Sequence, residues 1–202
     1  MLPFVFFGQE NGEGFVRQSV YGFTAAGLNT GATTYGSTYF GYSAGNNSTG
    51  TRNTFVGILS GYKNTTGINN VMIGDRAGLT NTTGRYNTFL GTLSGYKNTT
   101  GNHNTFSGMY SGFYNTTGLG NTFLGYQSGF RNSIGHRNVM IGFQAGYFET
   151  TSNKLYIDNS ATRTPLIYGD FDTNELTVNG DILSNKLMLN DPNRTIDWNT
   201  IW

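Results

Sequence analysis

Cysteine is absent from this chain of 202 residues, proline occurs three times, histidine twice, and only 11% of residues are charged. Without cysteine there are no disulfides and no thiolate metal ligands, and the redox compartment cannot be inferred. No apolar run approaches the ~20 residues of a membrane-spanning helix. The opening Leu2-Pro3-Phe4-Val5-Phe6-Phe7 is apolar, but too short and too uncharged at its front for a signal peptide. Export by another route, or a true N-terminus outside this chain, are the alternatives. Low charge can accompany disorder, but disordered chains have few aromatics and high net charge. Here the formal charge is +1, with 15 Phe, 13 Tyr and 30 Gly. A stacked β architecture suits that composition better.

What is present is a repeat. Six units of seventeen residues begin at Asn53, Asn70, Asn87, Asn104, Asn121 and Asn138, roughly of the form N-[TV]-[FM]-[VIL]-G-x-x-[SA]-G-[YFL]-x-N-T-T-G-x-x. The first four spell NTTG, the fifth keeps Asn132 and Gly135, and the sixth, ending Glu149-Thr150-Thr151-Ser152, loses both. A short, strict period marks a solenoid, in which each repeat is one coil and the stack builds the core. The spacing predicts an all-β fold, a parallel β-solenoid or β-roll of 17-residue coils. Ser37-Thr38-Tyr39-Phe40-Gly41 with Ser43-Ala44-Gly45 reads as a degraded earlier coil, and Gly22–Gly31 and Phe6-Phe7-Gly8 with Gly12 as more divergent remnants. Terminal repeats diverge because a cap must stop further stacking.

Each position of the repeat is a column along the rod. The leading Asn column is expected to be buried and to hydrogen-bond from coil to coil, since unpaired buried amides cost a few kcal/mol each. Asn64-Thr65-Thr66-Gly67 reads as a tight turn in which glycine accepts a positive φ, a role shared by Gly84, Gly101, Gly118 and Gly135. Neighbours along a strand face opposite ways, so the Phe/Met column and the Val/Ile/Leu column after it cannot both fill one coil. A second apolar column is Tyr62, Leu79, Tyr96, Phe113, Phe130 and Tyr147. A stripe of that length normally marks an interface, and a homotrimer burying it on a common axis satisfies the pattern. Variable positions are expected to face outward and to carry any receptor contact, among them Arg76, Tyr110, Gln127, Gln144, Lys63, Lys97 and Arg131.

After Ser152 the rhythm changes. Lys154–Asp158 and Pro165–Phe171 alternate like strands, and Asn179-Gly180 lies between β-prone flanks as a hairpin signal. Trp198 and Trp202 suggest docking of the tail into a neighbouring chain or a following domain. The expected organisation is divergent N-terminal coils or cap (1–36), solenoid (37–152) and a β-rich stem (153–202).

Charge divides along the chain. Residues 53–148 carry six bases and one acid, whereas residues 149–202 carry four bases and eight acids. That balance suits a solvated surface, or a weakly basic rod facing anionic glycans or a cell envelope. Catalytic chemistry is not expected. His103 and His136 fall in different columns, the lone Asp75 cannot form an acid/base pair, and the repeated glycines lack the following helix of a phosphate loop. No metal, cofactor, nucleic acid or membrane insertion is implied. The N-x-[ST] sequons at Asn46, Asn47, Asn64, Asn81, Asn98 and Asn115 follow from the turn sequence.

The run Asn121–Gly135 and its siblings resemble the head repeats of trimeric autotransporter adhesins. That resemblance implies an intertwined parallel β-roll of three chains, although seventeen residues exceed the usual period of those heads. Asn153–Asn159 through Leu166–Phe171 to Val178-Asn179-Gly180 looks like the stretch that follows such repeats in bacterial surface and phage-tail-fibre-like proteins, many of which carry a C-terminal endosialidase-type chaperone. The expectation is a non-enzymatic extracellular fibre segment that projects or forms a receptor-binding surface for a cell-surface glycan or protein. A self-assembling filament subunit and an ice-binding solenoid built on Thr65-Thr66 and its equivalents are the alternatives.

Overall fold

The computed structural model describes residues 5–7, 15–18, 24–27 and 34–182. Thirteen strands follow in chain order: β1 Val5–Phe7, β2 Phe15–Gln18, β3 Thr24–Gly27, β4 Thr38–Phe40, β5 Thr54–Val56, β6 Val71–Ile73, β7 Thr88–Leu90, β8 Thr105–Ser107, β9 Thr122–Leu124, β10 Val139–Ile141, β11 Lys154–Ile157, β12 Ile167–Asp170 and β13 Glu175–Val178. They form one sheet in sequence order. No helix occurs among the described residues.

From β3 to β11 every pairing is parallel and in register, one coil per strand, for example Phe55 beside Met72 and Met72 beside Phe89. This is a parallel β-solenoid of about seven turns with about 17 residues per coil. Only three residues per coil are strand. The rest is stacked turns whose backbone groups still bond between coils, as Gly61 N–H does to Ala77 C=O at 2.9 Å and Lys63 N–H to Leu79 C=O at 2.9 Å. Regular stacking therefore satisfies backbone that an isolated loop would leave to water.

The interior is thin. Each coil from Asn53 to Arg137 contributes one large apolar side chain, one small residue and two asparagines. Phe55, Met72, Phe89, Phe106, Phe123 and Met140 are fully buried. Where phenylalanines adjoin they stack, with Phe89–Phe106 at 5.0 Å and Phe106–Phe123 at 4.8 Å. The residue after each of them turns outward, as strand alternation requires. In the small-residue column Ser60, Ser94 and Ser111 donate their hydroxyls to Met72, Phe106 and Phe123 C=O.

The leading asparagines Asn53, Asn70, Asn87, Asn104, Asn121 and Asn138 are all fully buried. Each Oδ1 accepts the backbone N–H of its counterpart one coil on, at 2.9–3.0 Å from Asn70 to Asn138. Asn138 passes the bond to Lys154 N–H, which ends the column. Each Nδ2 donates to a turn carbonyl, Asn53 to Gly67, Asn70 to Gly84 and Asn104 to Gly118. The amide thus ties the strand of the next coil to its own coil's turn, mainly by side-chain-to-backbone bonds, with one amide–amide bond from Asn87 Nδ2 to Asn70 Oδ1 at 3.2 Å.

A second buried column, Asn64, Asn81, Asn98, Asn115 and Asn132, does bond amide to amide. Asn81 Nδ2 donates to Asn64 Oδ1 at 2.8 Å, and Asn98 Nδ2 to Asn81 Oδ1 at 2.7 Å. Asn115 carries the opposite amide orientation, leaving Asn98 Oδ1, both its own polar atoms and Asn132 Oδ1 unpaired. Half a turn of that amide would present a donor to Asn98 Oδ1. Asn132 Oδ1 stays unpaired, its Nδ2 donating to Glu149 and Thr151 C=O. Burial also withdraws four of the sequons, at Asn64, Asn81, Asn98 and Asn115, from any modifying enzyme.

Two expectations change here. The glycines Gly67, Gly84, Gly101, Gly118 and Gly135 do not adopt positive φ. They are glycine because a Cβ has no room: at Gly67 it would meet Asn64 Oδ1 at 2.3 Å and Gly84 O at 2.4 Å. Positive φ falls instead on Gly57 and Gly61 and their equivalents, and on non-glycine residues such as Leu59, Arg76, Tyr110 and Asn69. Within Gly22–Gly31, β3 joins the stack as a coil does, parallel to β4, but the strand at Phe6-Phe7 is no coil remnant. β1 and β2, and β2 and β3, pair antiparallel before the parallel stack begins.

The parallel stack ends where the turn asparagine is lost, at Glu149. β11, β12 and β13 then continue antiparallel. Asn179-Gly180 forms no hairpin among the described residues. The turn between strands is Phe171–Asn174, and Asn179 instead closes the ladder, its N–H on Leu166 C=O at 2.9 Å and its Nδ2 on Pro165 C=O at 2.6 Å. Trp198 and Trp202 lie outside the described residues.

Glu149 is built into this end of the rod. Its carboxylate accepts Thr151 N–H and Oγ1 at 2.6 Å each and the Tyr156 hydroxyl at 2.8 Å. Burial pushes its pKa up, but the bonds from Thr151 and Tyr156 outweigh this and hold it below the ordinary 4.5. A depressed folded-state value adds stability that is complete above the unfolded-state pKa and is lost as pH falls through the folded-state one. Acidification below pH ~4 is expected to loosen Glu149–Tyr156 first. Amide exchange checks this, and Glu149→Gln should remove that acid dependence.

Candidate functional site

Seen down the axis, the coil presents sides of different chemistry. On the strand side the outward column is exposed at Phe40 (60%), Ile73, Leu90 and Leu124 and half-buried at Val56, Ser107 and Ile141. Two residues further on, past the glycine at which the chain turns, Tyr42, Ile58, Met109 and Phe143 are also exposed. The next side carries Tyr62, Leu79, Tyr96, Phe113, Phe130 and Tyr147, every one half-buried. Tyr96–Phe113, Phe113–Phe130 and Phe130–Tyr147 stack at 5.0, 5.4 and 5.0 Å. Tyr110 joins the two sides, its ring 6.3 Å from both Tyr126 and Phe130. A largely apolar band therefore wraps a corner of the rod, interrupted by Asp75, Thr92 and Ser107.

The variable residues expected to await a receptor are mostly engaged with neighbouring side chains. Arg76 pairs with Asp75 at 2.9 Å, and Gln144 Nε2 donates to Gln127 Oε1 at 2.6 Å. Lys97 Nζ lies 4.3 Å from the Tyr114 ring centroid, and Arg131 packs over Tyr147 and Phe148. Lys63 is exposed and has no ion-pair partner among the described residues. Arg76, Tyr110, Gln127 and Gln144 share a left-handed backbone position, which the variability of the column did not disclose. Its N–H points back one coil, as Arg76 N–H does to Ile58 C=O at 2.8 Å.

The remaining side is polar. The first threonine of each turn is used within the stack, Thr65 Oγ1 donating to Thr82 C=O, Thr82 to Thr99 and Thr99 to Thr116. The second threonines, Thr83, Thr100 and Thr117, are exposed, and their hydroxyls have no partner among the described residues. They wall a groove of about 590 Å³ whose other wall is Arg85, Tyr86, Asn102, His103 and Leu119. Tyr86 and His103 stack at 4.9 Å. His136, one coil beyond Leu119, accepts the Leu119 N–H on Nδ1 at 3.0 Å, so its ring proton is on Nε2. The two histidines thus serve a surface column and a backbone bond, respectively. No group of three or more His, Asp or Glu able to hold a metal occurs among the described residues.

Comparison of the chain with protein-family models, with curated proteins and with solved structures finds no match.

Proposed function

We propose that the chain is a non-enzymatic structural segment of an extracellular fibre, an adhesin or tail-fibre-like appendage, built from three parallel copies of itself. The observation that carries this reading is the apolar band around one corner of the rod. Exposed apolar surface of that extent marks an association site. Its residues recur with the axial period of the coils, and a surface that matches them storey by storey is another copy in the same register. Because the band covers two adjoining sides, each chain has two different faces to bury. That calls for a head-to-tail contact that closes on itself, and three chains around a common axis provide it. Three copies would also repeat any receptor surface three times, so weak single contacts sum by avidity. The C-terminal strands would serve as the stem. No helix of the described residues is long and apolar enough to cross a membrane.

The double variant Leu90→Lys, Leu124→Lys tests the interface. On a solitary rod these sites are partly open to water and the change would move stability by no more than ~0.5 kcal/mol. In the trimer it is expected to release folded single chains, read as a threefold fall in native mass with an unchanged circular dichroism spectrum. A filament subunit would instead give rods of variable length in negative-stain images of the unaltered chain, and that result would replace the spike.

A further inference from the structure

The polar groove is separate from the apolar band, and three features single it out. Its hydroxyls are unused, since Thr83, Thr100 and Thr117 stay outside the stacking bonds that engage Thr65, Thr82 and Thr99. Its second wall carries Arg85 and His103 and no acid. Arg137 follows one coil beyond Gly120. The aromatic column also stops short, running Asn69, Tyr86, His103, Gly120, Arg137. Gly120 shares the left-handed backbone of that column with a φ of 66°, against 57° at Tyr86 and His103. A Cβ there would meet only Arg137 Cγ at 3.7 Å, ordinary contact. Nothing in the packing calls for glycine. Its effect is to leave the column without a side chain between His103 and Arg137, at the Leu119 end of the groove.

We propose that this groove binds an acidic saccharide, with one sugar ring in the storey over Gly120, stacked on His103, and its carboxylates held by Arg85 and Arg137. The apolar C–H face of a pyranose suits the imidazole, in the same way as other half-apolar rings use an aromatic face. Guanidinium forks match carboxylates bidentately. Threonine hydroxyls both donate and accept, as sugar hydroxyls do, and Asn102 adds free Nδ2 donors because its Oδ1 is fixed by Arg85 N–H at 2.7 Å. A groove that tracks a nucleic-acid backbone would need a cation at nearly every step. Here one arginine, Arg85, lines a groove with three hydroxyls along its facing wall. This deepens the receptor-binding part of the proposed function and rests on it, but not on the number of chains. A single-chain result in the mass measurement would leave the groove intact.

Titration calorimetry on the full chain tests it with trigalacturonate, a hyaluronan tetrasaccharide and sialyllactose, each beside its neutral or carboxyl-reduced counterpart. At least one acidic probe should bind with a Kd below ~1 mM, and its neutral counterpart about tenfold more weakly. Arg85→Ala and Arg137→Ala should each weaken binding about tenfold. Gly120→Tyr, which completes the column in a backbone that Tyr86 already adopts, should abolish binding without lowering the melting temperature. His103→Ala provides the same loss of platform should the tyrosine disturb the coil. Absence of binding by all three acidic probes, equal binding of a neutral counterpart, or unchanged affinity in both Gly120→Tyr and His103→Ala would overturn the proposal. So would tighter binding of a hexathymidylate through the same residues.

Discussion

Asn104→Leu is expected to lower the unfolding free energy by about 2–6 kcal/mol, although leucine is close to asparagine in size. The side chain makes two bonds in the dry interior, accepting Asn121 N–H at 3.0 Å and donating to Gly118 C=O at 2.7 Å. Leucine makes neither, so a backbone donor and a backbone acceptor are stranded where water cannot reach. Each such group costs about 1–3 kcal/mol. A loss of that size is a large part of the stability of an ordinary domain. Stability in a stack is a sum of coils and their interfaces, so the central position matters most. The same change at Asn53, near the end of the regular repeats, should be milder. Urea unfolding of the two variants checks both the size and the order, and a change below ~0.5 kcal/mol for Asn104→Leu would remove the column from the account.

Gly108→Ala is expected to cost about 2–6 kcal/mol, from two sources of about 1–3 kcal/mol each. Its φ is 134°, outside the region that residues with a Cβ adopt. The added methyl would lie 2.4 Å from Gly125 O and 2.6 Å from Gly125 C, backbone atoms that cannot swing aside. The coils would have to part at that level. Gly120→Ala is the control: with open space around it, and a φ that neighbouring coils fill with tyrosine and histidine, it should stay within ~1 kcal/mol of the parent. Thermal unfolding distinguishes them. Equal effects at Gly108 and Gly120 would contradict the close approach of successive coils.

The contrast between those glycines shows what the sequence discloses. A strict seventeen-residue period spelled the stack and the strand at each Thr-Phe or Val-Met pair, because regular burial imposes regular residues. It left open which of the two apolar columns faces inward, and that is the Phe/Met column. The period hid which of two constraints fixes a glycine. Gly67 and Gly57 look alike in sequence, yet the first answers to space against Asn64 and Gly84 and the second to φ together with Gly74. The second Asn column was legible as a turn and not as a buried ladder, since an Asx turn and a stacked amide need the same residue. Departures from the rule held the surface chemistry. Gly120 interrupts a column of larger side chains, and only when coils are laid over one another does that gap become a slot beside Arg85 and His103. Columns of the variable type were less open than expected, because neighbouring coils let Gln127 reach Gln144 and Lys97 reach Tyr114. The antiparallel ends carry no period, and Asn179-Gly180 met the local rule for a hairpin while its partners lay at Pro165 and Leu166.

Sedimentation equilibrium of the native chain at micromolar concentration tests the central claim most directly. Three chains of 22.1 kDa in one particle is the predicted result, independent of loading concentration. A single 22.1 kDa species, with the corner from Phe40 to Phe143 left in water, would contradict it.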